Sequence, residues 1–370
     1  MKVLVTGGAG FIGSFTVDRL IESGHQVRIF DSLDPQVHEQ GRKPKYLNKD
    51  AEFIKGDVRD IDAFEKALRG VEGVFHFAAC VGVGQSQYQI KKYADVTIGG
   101  TSNLLDILVN RKNKVRKVVV AASMSSYGEG LYSCKKCGPV RPGMRPLAQL
   151  KKKEWEPRCP SCGSVLTAVA TNEIQEQQCN SIYSITKKVQ EDMVLNIGRT
   201  YKIPSVALRF FNVYGPRQAL SNPYTGVCAI FLSRIKNDNR PVVYEDGLQT
   251  RDFISVHDIV SANILALTRT KADYQVFNVG SGVPLPISAV AQVLIDLYKK
   301  PFTPEIAGQY RKGDIRHCYA DITKLRALLH FTPKVGFKDG MRELLEWSRE
   351  ERAVDGFIKA RSELKKKGLL

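Results

Sequence analysis

Apolar positions along this chain keep two rhythms, and the rhythms alternate. Val3, Leu4 and Val5 form a short β-branched run, too brief for a helix and suited to a strand buried on both faces. From Phe11 to Ser23 the apolar residues Phe11, Ile12, Phe15, Val17, Leu20 and Ile21 return at helical spacing. The same alternation continues with strands at Gln26 to Phe30, Glu52 to Asp57, Gly73 to Ala79 and Lys117 to Ala122. Helices fall between them near Ile61 to Leu68 and Ala94 to Asn110. A helix over Tyr183 to Arg199 and a sixth strand over Ser205 to Phe210 follow only after a long polar interruption. Beyond Asn212 the elements become short and mixed: helices near 226–237, 256–268, 287–298, 321–329 and 337–349, with strands near 241–244 and 276–279. Strands alternating with helices predict an α/β fold with a parallel sheet wound on both faces, and the mixed remainder predicts a smaller α/β lobe closing over it. The expected organisation is a first sheet-forming part over 1–130, an insert over 131–170, the rest of the sheet domain over 171–211, and mainly a second lobe over 212–370. Some segments of that last stretch are expected to return to the core.

The junction between the first strand and the first helix carries chemistry. It reads Gly7-x-x-Gly10-x-x-Gly13, a glycine turn directly after a strand and directly before a helix. Gly7 suits a tight turn, Gly10 lets backbone approach a pyrophosphate, and Gly13 lets the helix sit close to the strand. The opening residues Phe11, Ile12 and Gly13 would offer free N–H groups and a partial positive charge to phosphates. The second strand ends at Asp31, about 20 residues further on, where a carboxylate can accept both ribose hydroxyls and repel a 2′-phosphate. The expected cofactor is NAD rather than NADP. Asp57 and Val58 are placed to meet the adenine, and the small residues Ala78 and Ala79 let the fourth strand's exit approach the cofactor.

Composition changes this picture little. A 370-residue chain that is 43% hydrophobic and 25% charged is an ordinary globular one. No apolar run approaches a membrane span, and the first residues lack the three-part pattern of a secretory signal, so a cytoplasmic protein without a membrane partner is expected. The formal charge of +17 is unusual. It is read first as a solvated surface, with anionic substrates as an alternative and nucleic acid as a minority reading that no basic stripe interleaved with aromatic residues supports.

Tyr183-x-x-x-Lys187 places an ammonium one helical turn from a phenol. A neighbouring cation favours tyrosinate and a bound oxidised nicotinamide adds positive charge, so the two together are expected to bring the phenol from about pKa 10 toward neutrality as a general base. Tyrosine and lysine at this spacing are common on solvated helices. The pair gains its meaning from Ser123-Met-Ser-Ser-Tyr-Gly128, where Ser123 leaves the fifth strand and could hold the substrate oxygen.

Taken with Asp57-Val58, His76-Phe-Ala-Ala79, Arg209-Phe-Phe-Asn-Val-Tyr-Gly-Pro-Arg217, Thr250-Arg-Asp-Phe-Ile254 and Gly313-Asp-Ile-Arg316, the chain resembles the extended short-chain dehydrogenase/reductase family of nucleotide-sugar epimerases and dehydratases. The resemblance implies a Rossmann sheet, tightly bound NAD regenerated in each cycle, and a homodimer formed through the helices near 94–110 and 183–199. It implies Ser123, Tyr183 and Lys187 as catalytic residues, Lys187 also touching the cofactor. It further implies Asn212, Arg251 and Arg316 as ligands of a nucleotide-diphosphate sugar, with Asn222 and Ser125 as further substrate contacts. Family dehydratases and decarboxylases commonly carry a glutamate two residues before the position of Tyr127, and 3,5-epimerases a cysteine. Met124-Ser125 supplies neither. What remains is hydride transfer alone: 4-epimerisation of a dTDP- or UDP-linked hexose, or a 4-ketoreductase or dehydrogenase with exchangeable cofactor, with a dehydratase ranked after these.

Between Ser123 and Tyr183 lie Cys134-x-x-Cys137-Gly and Cys159-x-x-Cys162-Gly, with 21 residues between the pairs. This spacing predicts a zinc-ribbon-like insert with a structural, four-thiolate zinc; a redox dithiol and free surface thiols are the competing readings. The insert is basic, with eight lysines and arginines against two glutamates between Cys134 and Gly163. The other four cysteines, Cys80, Cys179, Cys228 and Cys318, are scattered, and no disulfide is expected.

Overall fold

The computed structural model describes Met1–Leu370. Seven strands form one parallel sheet: β1 Lys2–Thr6, β2 Gln26–Asp31, β3 Glu52–Lys55, β4 Gly73–His76, β5 Lys117–Ser123, β6 Ser205–Phe210 and β7 Val276–Val279. Their spatial order is β7-β6-β5-β4-β1-β2-β3, with every pairing parallel. The order reverses between β1 and β4, which opens a crevice at the carboxyl ends of these strands.

Strand periodicity explains the two layers. Val3, Val5, Ile29, Phe75, Val119 and Leu208 face one side, where they meet Val17 and Leu20 of the helix Phe11–Glu22 and Ile259, Ala262 and Ala266 of the helix Val256–Thr268. Their neighbours Leu4, Phe30, Val74, Val118 and Val120 face the other side. There they pack on the helices Ile61–Leu68, Gly100–Asn110 and Ile182–Thr200 through Phe64, Leu104, Leu108 and Val194.

Two details refine the sequence reading. The expected continuous helix over 94–110 begins with a π-helical turn, Ala94–Gly99, before regular helix from Gly100. A β-carbon on Gly100 would lie 2.5 Å from Val58, so this turn brings bare backbone against the residue expected to meet adenine. The strand over 276–279, read among the mixed elements after Asn212 with no segment singled out for return to the core, is one that does return: it joins the main sheet as β7.

The smaller lobe pairs the strands Asn212–Tyr214 and Thr250–Ser255 in parallel, adds Pro284–Pro286 and His317–Cys318 to the latter, and builds its core from the helices Val227–Lys236, Ile287–Leu297 and Phe337–Glu350. The insert is a three-stranded antiparallel sheet, Leu131–Cys134 flanked by Gly138–Val140 and Thr167–Val169. Its buried core is only Tyr132, Cys134, Cys159 and Leu166. No helix is long and apolar enough to cross a membrane.

Candidate active site

One cavity of about 720 Å³ occupies the crevice between the sheet and the smaller lobe. Gly7, Gly10, Phe11, Ile12, Gly13, Asp31, Asp57, Val58, Ala78 and Ala79 line one part of it; Ser123, Ser125, Tyr183, Lys187, Asn212, Asn222 and Arg251 line the rest. Arg316 does not.

The glycine turn is shaped by close approach. Gly7 has a φ of +67°, and a β-carbon there would lie 3.0 Å from the backbone nitrogen of Ala78. A β-carbon on Gly13 would come within 2.2 Å of the Gly7 carbonyl oxygen, so helix and turn can meet only over glycine. Around Gly10 the added carbon would meet just one neighbour, the Gly7 carbonyl at 3.3 Å, and the helix that starts there has no side-chain cap. Its first N–H groups are thus available to an anion. Asp31 is fixed by two backbone donors, Ala9 N–H at 3.0 Å on Oδ2 and Leu33 N–H at 2.9 Å on Oδ1, and each oxygen keeps a lone pair for a ribose hydroxyl. These groups fit a dinucleotide. Asp57 pairs with Arg59 through both carboxylate oxygens, and that partner holds its carboxyl below the usual range.

The catalytic candidates meet at the end of β5. The Ser123 hydroxyl accepts from the Ser125 hydroxyl at 2.9 Å and from the Ser125 N–H at 3.2 Å. Tyr183 stands in the first turn of the helix Ile182–Thr200, whose start is fixed by a reciprocal Ser181/Ser184 capping box. The Tyr183 N–H also donates to Ser86 Oγ at 3.0 Å. Burial pushes the Tyr183 phenol up, and the neighbouring Ser123 hydroxyl pulls it partly back. The expected shift toward neutrality is therefore not made by the protein alone. Lys187 donates to Gln190 Oε1 at 2.7 Å, and burial pushes its own ammonium down to about 7. Desolvation dominates both groups. Gln190 continues a buried chain through Thr101 and His76 to Thr6, whose hydroxyl accepts the Phe77 and Ala78 N–H groups beside the glycine turn.

On the substrate side, Asn212 Oδ1 is buried without a partner at the cavity wall, an acceptor suited to a ligand donor. Asn222 uses its oxygen to hold its own loop through the Tyr224 N–H and Gln36. Arg251 donates to the carbonyls of Thr250, Ile315 and Arg316, which aligns its guanidinium along the wall. Arg316 requires a correction: its fully buried guanidinium is spent on Glu156, Glu245 and Asp246, at 2.6 to 2.9 Å. The cavity-facing arginine of that segment is Arg311, stacked 4.8 Å from the Tyr244 ring and held at Nε by Asp314. Its sequence signal was an arginine two residues before Gly313-Asp314. Asn180, Gln218 and the helix Phe357–Lys366, through Phe357, Arg361 and Leu364, also line the cavity and carried no sequence signal of that role.

In the insert the four cysteine sulfurs all lie within 4.8 Å of one another, Cys134 and Cys162 at 3.5 Å. Tetrahedral zinc–thiolate bonds of about 2.3 Å require sulfurs roughly 3.8 Å apart. The residues fit that ion.

A doubly wound sheet with a dinucleotide turn, an acidic ribose residue and a Ser/Tyr/Lys group at the fifth strand defines a nicotinamide-dependent enzyme acting on a hydroxyl or keto carbon. The family model described as the NAD dependent epimerase/dehydratase family matches residues 3–146 and 147–280, and the chain belongs to that family. A dTDP-L-rhamnose 4-epimerase from Burkholderia thailandensis is 34% identical over 95% of each chain. Among solved structures, the UDP-glucose 4-epimerase of Thermotoga maritima with UDP-glucose superposes with a TM-score of 0.77 at 30% identity, covering 95% of this chain and 99% of the other. The Thermus thermophilus UDP-glucose 4-epimerase in complex with NAD gives 0.76 at 29%, covering 95% and 100%.

Proposed function

We propose that this protein is an NAD-retaining nucleotide-sugar 4-epimerase, with a dTDP-linked 6-deoxyhexose such as dTDP-L-rhamnose as the first substrate to test and UDP-glucose as the second. When bound, NAD supplies the hydride acceptor and donor for sugar C4 and a positive charge that favours tyrosinate. Tyr183 takes the proton of the 4-hydroxyl and later returns it, and Ser123 holds that oxygen. Arg251 and Arg311 grip the diphosphate, so that the 4-keto sugar can turn about its diphosphate bond and present its other face. The observation that carries the reading is the turn after β5. Ser125, which hydrogen-bonds Ser123, occupies the position at which, by the family resemblance, dehydratases and decarboxylases carry a glutamate and 3,5-epimerases a cysteine. The cavity's one buried glutamate, Glu245, is already occupied by Arg145 and Arg316.

The test is an NMR time course of purified protein with dTDP-L-rhamnose and UDP-glucose and no added cofactor. A C4 epimer is expected, and Tyr183→Phe is expected to slow its appearance at least a hundredfold with NAD still bound. Turnover only with stoichiometric NADH would instead make the protein a reductase.

The four-thiolate site supports a structural zinc, checked by elemental analysis at one ion per chain. The groove lined by Leu105, Val109, Met193, Ile197 and Tyr201 on two adjacent helices supports a homodimer built on that face. Eight unpaired cysteines support a reducing, cytosolic setting.

A further inference from the structure

The insert reaches the second lobe through charge. Arg145 and Glu156 both lie between the two cysteine pairs. Arg145, 7% exposed, sends Nη1 and Nη2 to the two oxygens of Glu245, at 3.0 and 2.7 Å, and Nη2 also donates to the Asp314 carbonyl at 3.0 Å. Glu156 accepts Nε and Nη2 of Arg316 on one oxygen, at 2.9 and 2.6 Å, and meets His317 Nε2 at 3.0 Å on the other. At the root of the insert, Glu129 accepts the Arg316 N–H at 2.7 Å. Residues 314–317 are thus held from three directions by side chains on or beside the insert.

That short segment sets two of the cavity's arginines, Arg251 and Arg311. Its carbonyls at Ile315 and Arg316 receive the Arg251 guanidinium, and Asp314 pins Arg311. The insert has little else to hold its own shape, since its buried core is four residues, two of them metal-ligand candidates.

We infer that the cysteine insert is a positioning element for the substrate diphosphate: metal held by Cys134, Cys137, Cys159 and Cys162 fixes Arg145 and Glu156, and through them the 311–316 segment that aims Arg251 and Arg311. This rests on the metal reading above and is separable from the epimerase reading. Neither Arg145 nor Glu156 lines the cavity; they are positioning residues. Without the metal the loop carrying them loses its anchor, Arg316 and Glu245 lose partners in a buried setting, and the diphosphate grip loosens while the Ser123/Tyr183/Lys187 group stays intact.

The experiment measures the affinity of the full chain for UDP and dTDP by calorimetry, next to zinc content, bound NAD and steady-state kinetics. Cys162→Ser, at an exposed ligand, is expected to lose zinc, weaken diphosphate binding and raise KM at least tenfold, with kcat within threefold and NAD content unchanged. Because that variant risks misfolding, Glu156→Gln is the second arm. It is expected to keep zinc and NAD and still weaken UDP or dTDP binding three- to tenfold, with the same split between KM and kcat. Binding that tracks the metal while no sugar is epimerised would support the positioning role and remove the epimerase reading. Full diphosphate affinity in zinc-free Cys162→Ser, wild-type affinity and KM in Glu156→Gln, a wild-type protein with no metal, or one that binds neither diphosphate would each overturn the inference.

Discussion

Lys187 illustrates how burial governs the single side chain. Its amine normally titrates near 10.4, and burial beside Gln190 brings it to about 7. Between those values the unfolded chain carries a proton that the folded chain does not, so folding is penalised below pH 7 and the penalty fades toward pH 10. Thermal melts of Lys187→Met against wild type are therefore expected to show the variant's relative stability falling as pH rises from 7 to 10, by on the order of a few kcal/mol. A flat difference across that range would show that the amine is solvated. The residues whose role depends on local chain order were legible in the sequence: the three glycines, Asp31, Ser123 and Tyr183 all reach the cavity. Arg316 was misread because two arginines flank the same Gly-Asp pair. Which one turns inward is decided by Glu156, Glu245 and Asp246, carboxylates remote in sequence.

At the level of elements, the helix Ile182–Thr200 delivers both Tyr183 and Lys187, and its first turn depends on the Ser181/Ser184 box. Removing the cap with Ser181→Ala is expected to cost about 1 kcal/mol, read as a lower urea midpoint, and to reduce turnover because Tyr183 sits two residues inside the cap. Strands and helices of the sheet were readable from their two periodicities, since burial on both faces enforces them. Partnership was not: β7 pairs with β6 across some seventy residues of chain, a contact no local pattern encodes. The π-turn at Ala94–Gly99 was equally hidden, being set by the contact of Gly100 with Val58.

For the whole molecule, the two helices that carry Val109 and Ile197 present a groove lined by Leu105, Val109, Met193, Ile197 and Tyr201. If this face joins two copies, Val109→Arg is expected to yield a monomer by light scattering, with the NAD content of the parent. A dimer that survives would move the interface elsewhere. The positive balance of +17 finds a partial use in the cavity, where Arg251, Arg311, Lys312 and Arg361 face a space suited to a diphosphate. The position of the insert also has a consequence in time. It lies within the crossover from β5 to β6, so roughly eighty residues must be spanned before these neighbouring strands can pair. An ion clasped early by the two cysteine knuckles would shorten that span to about fifty, lowering the closure cost by only about 0.4 kcal/mol. Metal capture during synthesis would thus hasten assembly of the sheet no more than about twofold. A chain starved of the ion could still form the sheet that bears its catalytic residues, and would emerge as a correctly wound enzyme with a slack hold on its substrate.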